Sequence, residues 1–305
     1  MSTSEKSSTI LVSGAGGFLG ENLINRLSCL TNYKIIALSS QKYKLNHMLH
    51  GNINFVCFDT EDWKNGKIPF DTVDVLINCA FARTSEGKLL ANSLDFTNKF
   101  ISDAVRKGVG GVVNISSQSV YSQQRKFPAT EKSSIIPESL YGMAKYSSEI
   151  LISNICTSAN VPFANIRLAS LVGIGFNLRL TTKFIRNVIN GDAIKIVGGQ
   201  QVISYMDVMD AADGIIALLS IGTENWKQTY NLGVDEFYTI LEIANMIKEI
   251  ATQYISLPVK VELEEKDVYL NLSMDCTQFY EDVHWKPKYN MESIIKTQFE
   301  CFKLE

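Results

Sequence analysis

The stretch SGAGGFLG, residues 13–20, decides the fold. It ends an apolar run that begins at Thr9, and it opens a segment in which Leu19, Leu23, Leu27 and Leu30 recur every three or four residues. That pattern predicts a strand turning sharply into a helix whose leucine stripe faces a sheet. Gly14, Gly17 and Gly20 allow the turn and a close backbone approach. The free N–H groups and positive end of the helix, at Phe18 and Leu19, suit a pyrophosphate. A glycine triplet is often only a turn, but at a strand-to-helix junction it predicts dinucleotide binding.

Outward from this motif, strand-length apolar runs alternate with helix-period segments, as in βα units around a parallel sheet. Strands are predicted over residues 9–13, 34–39, 53–58, 73–79, 111–116 and 163–168. Their unbroken hydrophobicity fits burial on both faces. The fold class is therefore α/β, a Rossmann-type doubly wound parallel sheet. Beyond residue 170 the alternation loosens, and a smaller, mixed α/β unit is expected. Helices are predicted over 182–190, stopped by Gly191, over 208–220, and from Thr239, where Glu242 supplies a capping box.

Composition narrows the function. The 305 residues carry 29 Lys and Arg against 32 Asp and Glu, a net charge of -3, which argues against nucleic acid or anionic lipid as partner. A small molecule is the expected partner. Apolar runs such as Ile215 to Leu219 fall far short of the ~20 residues that span a bilayer, and the Ser-rich start, which reads as disordered, has no apolar leader. No membrane insertion or export is expected. Cys29, Cys57, Cys79, Cys156, Cys276 and Cys301 show no metal or redox spacing and read as buried free thiols in a reducing, cytoplasmic compartment. His47, His50 and His284 read as surface residues, so no metal site is expected.

Several positions carry chemistry. At the end of the second strand, where an NAD site usually has a carboxylate, stand Ser39 and Ser40. The absent negative charge, with Lys42 or Lys44 nearby, leans toward NADP; the alternative is a solvated loop beside an NAD site. Asp59, followed by Thr60 at the end of the third strand, is a candidate for the adenine amino group or a plain cap. In YGMAKYSSE, Tyr141 and Lys145 lie one helical turn apart, and an ammonium near a phenol favours its ionised form. The spacing alone is commonly a surface pair. Upstream, NISSQSVYS places Ser116 and Ser117 at the carboxyl edge of the sheet, where α/β proteins bind ligands.

With these residues in place the chain resembles the extended short-chain dehydrogenase/reductases, the NAD(P)-dependent epimerase/dehydratase group acting largely on nucleotide sugars. The resemblance rests on the glycine turn, NCA at Asn78 to Ala80, Asn92, SSQSVY from Ser116, the Tyr141 and Lys145 pair, Arg167, and YNLG from Tyr230. It implies that Ser117 orients the substrate oxygen, that Tyr141 passes its proton, and that Lys145 holds the cofactor ribose and lowers the Tyr141 pKa. Cys79, Ala80, Phe81, Asn92 and Ser116 are the further cofactor contacts it implies. Residues 1–170, with 203–232 returning, are expected to bind the dinucleotide, and 171–202 with 233–305 the substrate. A homodimer through the helix after Asn92 and the helix of Tyr141 is also implied, with Phe96, Phe100, Ile101, Ile150 and Leu151 supplying apolar faces or belonging to the core.

Departures from the family pattern shape the substrate expectation. Gln118 and Ser119 stand where dehydratases carry an Asp-Glu pair, which disfavours water elimination. Ile203, and the stretch 264–272, lack the arginines that grip a substrate diphosphate. Arg83, Arg179 or Lys183 would take that role, although each alone reads as a surface charge. Asn78 and Asn92 read equally as ties between loops and sheet. Trp63, Trp226, Trp285, Met206 and Met209 read as packing groups, while Arg167, ending a buried strand, needs a partner. The leading expectation is hydride transfer at a carbinol or ketone carbon of a nucleotide sugar by a ketoreductase, or next an epimerase. Alternatives are a non-catalytic NAD(P)-binding sensor and a reductase of a small non-sugar ketone.

Overall fold

The computed structural model describes residues 8–30, 32–41, 45, 55–177 and 179–303. The Leu30 side chain, Lys42, Lys44, His47, His50 and the first seven residues lie outside that description. In the first half run β1 (Thr9–Ser13), α1 (Phe18–Leu30), β2 (Lys34–Leu38), β3 (Phe55–Phe58), α2 (Thr60–Lys64), β4 (Val75–Asn78), α3 (Gly87–Arg106), β5 (Val112–Ile115), α4 (Leu140–Ser158) and β6 (Phe163–Leu168). There follow β7 (Ser170–Val172), α5 (Leu180–Ile189), β8 (Ile194–Val197), β9 (Val202–Ile203), β10 (Tyr205–Asp207) and α6 (Val208–Ser220). The chain closes with β11 (Thr229–Leu232), β12 (Tyr238–Thr239), α7 (Ile240–Ala251), β13 (Val261–Glu264), α8 (Thr277–Val283) and α9 (Met291–Lys303).

Among the described residues, seven strands form one parallel sheet in the order β11-β6-β5-β4-β1-β2-β3. The order reverses between β1 and β4, so the carboxyl ends of these two strands open a crevice, the usual ligand position in such sheets. Alternate residues serve opposite faces. Ile10 and Val12 join a core with Leu23 and Leu27 of α1 and Ile215 and Leu218 of α6. Leu11, Ile36 and Leu76 face the other way, onto Phe100 and Ile101 of α3 and Ile152 of α4. Each such buried side chain contributes ~1.5–3 kcal/mol. A separate core gathers α5, α7 and α9 around Phe184, Ile247 and Phe299.

The strand predictions hold to within two residues at each end, save that Ile53 and Asn54 of the third lie outside the described residues, and 163–168 and 208–220 match their elements. The helix expected over 182–190 begins at Leu180, because Thr181 and Thr182 are buried with it. The capping box at Thr239 and Glu242 forms as the spacing requires. Phe100 and Ile101 are fully buried beneath the sheet and belong to the core, with Phe96 packed against them. Cys57, Cys156 and Cys276 are buried thiols, whereas Cys29 is exposed on α1 and Cys79 and Cys301 are half-buried. Trp63 packs edge-on against Phe96 and Phe100, and Trp285 against Phe279. Among the described residues no helix is long and apolar enough to cross a membrane, and no group of His, Cys, Asp and Glu is arranged to hold a metal ion.

The turn at the crevice has no room for side chains. A Cβ on Gly20 would lie 2.3 Å from the Gly14 carbonyl oxygen, in backbone that cannot step aside. Gly20→Ala is expected to cost ~1–3 kcal/mol of stability and to abolish dinucleotide binding. Thermal melts and NADH fluorescence titration check both, with Gly87→Ala, which meets open space, as the control expected to behave like the parent.

Candidate active site

Gly14 has a φ of +69°, and its carbonyl accepts the Gly17 N–H at 2.9 Å. A Cβ there would come within 2.6 Å of the Ala80 nitrogen, so the turn lies directly against the chain leaving β4. Two cavities meet at this point and share Gly14, Gly17, Cys79 and Phe81. One, of about 440 Å³, is lined by Phe18, Leu19, Gly20, Arg83, Ser116, Ser117, Gln118, Tyr141, Lys145 and Arg179. The other, of about 740 Å³, is lined by Ser39, Ser40, Thr60, Ala80 and Asn92. The turn therefore sits between two chambers, as a bound pyrophosphate between two nucleoside halves requires.

Two candidates lie outside both linings. Asp59 accepts hydrogen bonds from the N–H groups of Glu61 at 3.0 Å and Asp62 at 2.9 Å, capping α2. Lys183 is exposed on α5. Ser39 is buried at the end of β2; its N–H donates to the Phe58 carbonyl and its hydroxyl accepts from the Gln41 N–H.

Tyr141 is placed by the start of α4, where Ser139 caps the helix by accepting the Gly142 N–H at 3.0 Å. Lys145, one turn on, is buried and donates to the Ile115 carbonyl at 2.7 Å. Its ammonium lies 4.2 Å from the centre of the Phe81 ring and 5.9 Å from that of Tyr141. Burial lowers its pKa to about 7. The Tyr141 phenol is raised by burial, against the opposing pulls of Arg83, a hydrogen bond from Ser117, and Arg179. The cations acting on the phenol are thus the two arginines. Lys145, expected from sequence to lower it, is turned toward β5 instead. Ser117 begins the short turn 118–120, where its hydroxyl accepts the Ser119 N–H at 3.1 Å.

Beneath this surface lies a network that the sequence signalled only in part. Glu149, a further turn along α4, accepts the Ser116 hydroxyl and the Arg167 guanidinium, at 2.8 Å from Nη2 and 3.1 Å from Nε. Both members of the ion pair are buried. Arg167 also donates to the Tyr121 hydroxyl at 2.9 Å, which donates to Asn231 at 2.7 Å. Burial pushes Tyr121 up to about 12, so it remains a neutral donor. Arg167 finds the partner its burial demands. Glu149 was legible as a carboxylate one turn past Lys145, but nothing in the pattern tied it to Arg167.

Other residues at the cavity escaped the sequence reading. Phe176, after the 173–175 loop, and Leu270 and Leu272, in the stretch that lacks arginine, line the smaller chamber. Gln118, which replaces an acid of the dehydratases, accepts a hydrogen bond from Arg125 at 3.0 Å. Asn78 is buried, accepting the Ser13 hydroxyl at 2.8 Å and donating to Asn114 at 3.2 Å.

Comparison with known proteins agrees with this geometry. Residues 10–233 match the model of the NAD dependent epimerase/dehydratase family. A putative UDP-glucose 4-epimerase of Methanocaldococcus jannaschii is 26% identical over 308 residues, covering 94% of this chain and 96% of that protein. A trifunctional UDP-glucose 4,6-dehydratase/UDP-4-keto-6-deoxy-D-glucose 3,5-epimerase/UDP-4-keto-L-rhamnose-reductase of Arabidopsis thaliana is 26% identical over 267 residues, or 80% of this chain. The chain spans 40% of that relative's length. A mutant UDP-glucuronic acid 4-epimerase of Bacillus cereus, solved with UDP-4-deoxy-4-fluoro-glucuronic acid and NAD, superposes with a TM-score of 0.84 at 19% identity, covering 97% of this chain and 99% of that one. The dTDP-glucose 4,6-dehydratase of Bacillus anthracis, solved with NAD, gives 0.81 at 19% identity, over 98% and 97% of the two chains. The fold is shared with the two solved structures, and with residues 10–233 matched by the family model, the chain belongs to the NAD-dependent epimerase/dehydratase family.

Proposed function

We propose that the chain catalyses nicotinamide-dependent hydride transfer at a carbinol or ketone carbon of a nucleotide sugar, as a 4-ketoreductase or, next, an epimerase. The observation that carries this reading is that Ser117, Tyr141 and Lys145 line the chamber that opens from the glycine turn. A dinucleotide fits the residues present: Gly14, Gly17 and Gly20 leave backbone N–H groups free of side-chain cover, and a chamber lies on either side. When bound, the nicotinamide supplies or accepts the hydride. Tyr141, held protonated at neutral pH by burial, is ready to donate its proton to a substrate oxygen, which suits the reductive direction. Ser117 orients that oxygen. Lys145 has one ammonium proton committed to Ile115 and two left for ribose hydroxyls.

The finer assignments belong to the same proposal. Ser39, Ser40, Thr60, Ala80 and Asn92 hold the adenosine half, and the absence of a carboxylate lining that chamber among the described residues supports a lean toward NADP within an NAD-dependent family. A homodimer through α3 and α4 fits exposed Met143 and Ile150, seven residues apart on α4. Six free thiols suit a reducing cytoplasm. Leu270 and Leu272 also keep a small apolar ketone in view as a second substrate class. A thermal shift with UDP or dTDP discriminates between the two, since only a nucleotide-sugar site is stabilised by the free nucleotide.

Three outcomes check the reading. Tyr141→Phe should lower turnover by ~10²–10⁴-fold with dinucleotide affinity kept; turnover close to the parent's would remove the phenol from the chemistry. Ser40→Asp should weaken NADPH by about tenfold relative to NADH, through repulsion of the 2′-phosphate. Equal effects on the two cofactors, measured by fluorescence titration, would end the NADP preference. The third concerns Lys145, whose pKa falls from 10.5 unfolded to about 7 folded. Between those values the unfolded chain holds the extra proton, so stability rises with pH across that window and the buried ammonium is a full cost below it. Lys145→Met should therefore gain more in Tm over the parent at pH ~6 than at pH ~9, and a gain independent of pH would place the titration elsewhere.

A further inference from the structure

Among the described residues, the charged side chains lining the smaller chamber are Arg83, Lys145 and Arg179, with no carboxylate among them. Lys145 is committed to the Ile115 carbonyl and the Phe81 ring. Arg83 and Arg179 are placed differently. Both rest on one aromatic ring, their guanidinium carbons 5.0 and 5.2 Å from the centre of Phe176, and Arg179 also lies 5.6 Å from that of Tyr205. Arg179 gives its Nε–H to the Leu171 carbonyl, which leaves both terminal nitrogens for a further acceptor. Among the described residues neither arginine has an acidic partner within ion-pair distance.

Two like charges packed on the same ring with no counter-charge repel each other. Burial and the neighbouring Arg83 together hold Arg179 down to about 10. An anion between the two forks relieves this repulsion and satisfies their donors. The cofactor's pyrophosphate already has the N–H groups of the glycine turn. The position of the arginines narrows the choice further: both line the same chamber as Ser117 and Tyr141, and both act electrostatically on the Tyr141 hydroxyl. An anion they hold therefore shares the chamber with the Tyr141 hydroxyl. On a hexose reacting at C4, the substituent on C5 is adjacent to the reacting carbon, whereas a diphosphate on C1 sits across the ring.

We propose that Arg83 and Arg179 form a carboxylate clamp across Phe176, and that the preferred substrate is a nucleotide sugar whose hexose carries an acid group next to the reacting carbon. This inference rests on the hydride-transfer reading and names its substrate class. Leu270 and Leu272 add no polar donor to the chamber, so discrimination between acidic and neutral sugars falls to the two guanidinium groups.

The test is equilibrium binding to the full chain with dinucleotide present, comparing UDP-glucuronate, UDP-glucose and free UDP. Parent, Arg83→Met, Arg179→Met and Arg179→Lys are measured by calorimetry. The parent should bind the acidic sugar roughly tenfold or more tightly than the neutral one, as a charge-assisted bidentate contact implies. Each Met variant should lose that preference while free UDP binds within about twofold of the parent, and Arg179→Lys should recover only part. Arg83 is exposed, so its replacement keeps the test readable if an Arg179 variant fails to fold. Equal binding of the two sugars by the parent overturns the clamp. So does a loss of UDP affinity in the variants, which would assign the pair to the diphosphate, or of dinucleotide affinity, which would assign it to the cofactor. The readout is binding, so equal sugar affinities beside an inactive Tyr141→Phe reject the clamp alone. A clear preference beside a fully active Tyr141→Phe rejects the proton-transfer reading alone.

Discussion

A single buried carboxylate ties α4, the helix of Tyr141 and Lys145, to the sheet. Glu149 accepts the Arg167 fork from β6 and the Ser116 hydroxyl from the end of β5, and both charged partners are shielded from water. Removing either partner of such a pair strands the other charge, at a cost of ~3–5 kcal/mol. The pair is thus weak evidence of net stability and strong evidence of fixed geometry. Tyr141 and Lys145 lie two turns and one turn earlier on the same helix, while Ser117 follows Ser116 directly. The angle at which phenol, ammonium and serine meet is therefore set several ångströms below the chamber that they line.

The same logic extends across the sheet. Ser13, Asn78, Asn114, Asn165 and Ser153 form a row of side-chain hydrogen bonds linking β1, β4, β5, β6 and α4. Buried amides are costly when unpaired and specific when paired, because a slip of one residue in register would break every link in the row. Apolar contacts on the two faces of the sheet supply the bulk of its stability, and they tolerate small shifts. The polar row does not, and it runs directly behind the crevice where the glycine turn approaches Ala80. Asn78, read from sequence as a tie or a family marker, acts structurally as the link between Ser13 and Asn114.

Local pattern was legible, and long-range pairing was not. The strands, the glycine turn, the capping box at Thr239 and the Tyr141–Lys145 spacing are all features of a few consecutive residues, and each appears where periodicity and turn chemistry place it. Arg167 announced a need for a partner but could not name Glu149, because the two meet only when β6 is laid beside β5 and α4 packs over both. Phe176 had no signal at all: its neighbours Arg83, Phe18 and Arg179 come from three separate segments. Asp59 illustrates the converse, since a carboxylate after a strand suits both a ligand and a cap, and it caps α2 by accepting the N–H groups of Glu61 and Asp62.

Charge gives the clearest case of a whole-chain quantity misdescribing a site. The chain is acidic by three charges overall, yet among the described residues every charged side chain lining the smaller chamber is cationic. Buried Lys145 and half-buried Arg179, in a chamber also lined by Leu168, Leu171, Leu270 and Leu272, are screened less than charges on the surface. Their field favours anionic ligands in the chamber. It also bears on the proton. Burial keeps Tyr141 neutral, whereas Arg83 and Arg179 favour its ionised form, so neutralising the arginines with a bound anion strengthens the hold of the phenol on its proton. Binding of an anion between the two arginines and the acidity of Tyr141 are thus coupled through the same two side chains.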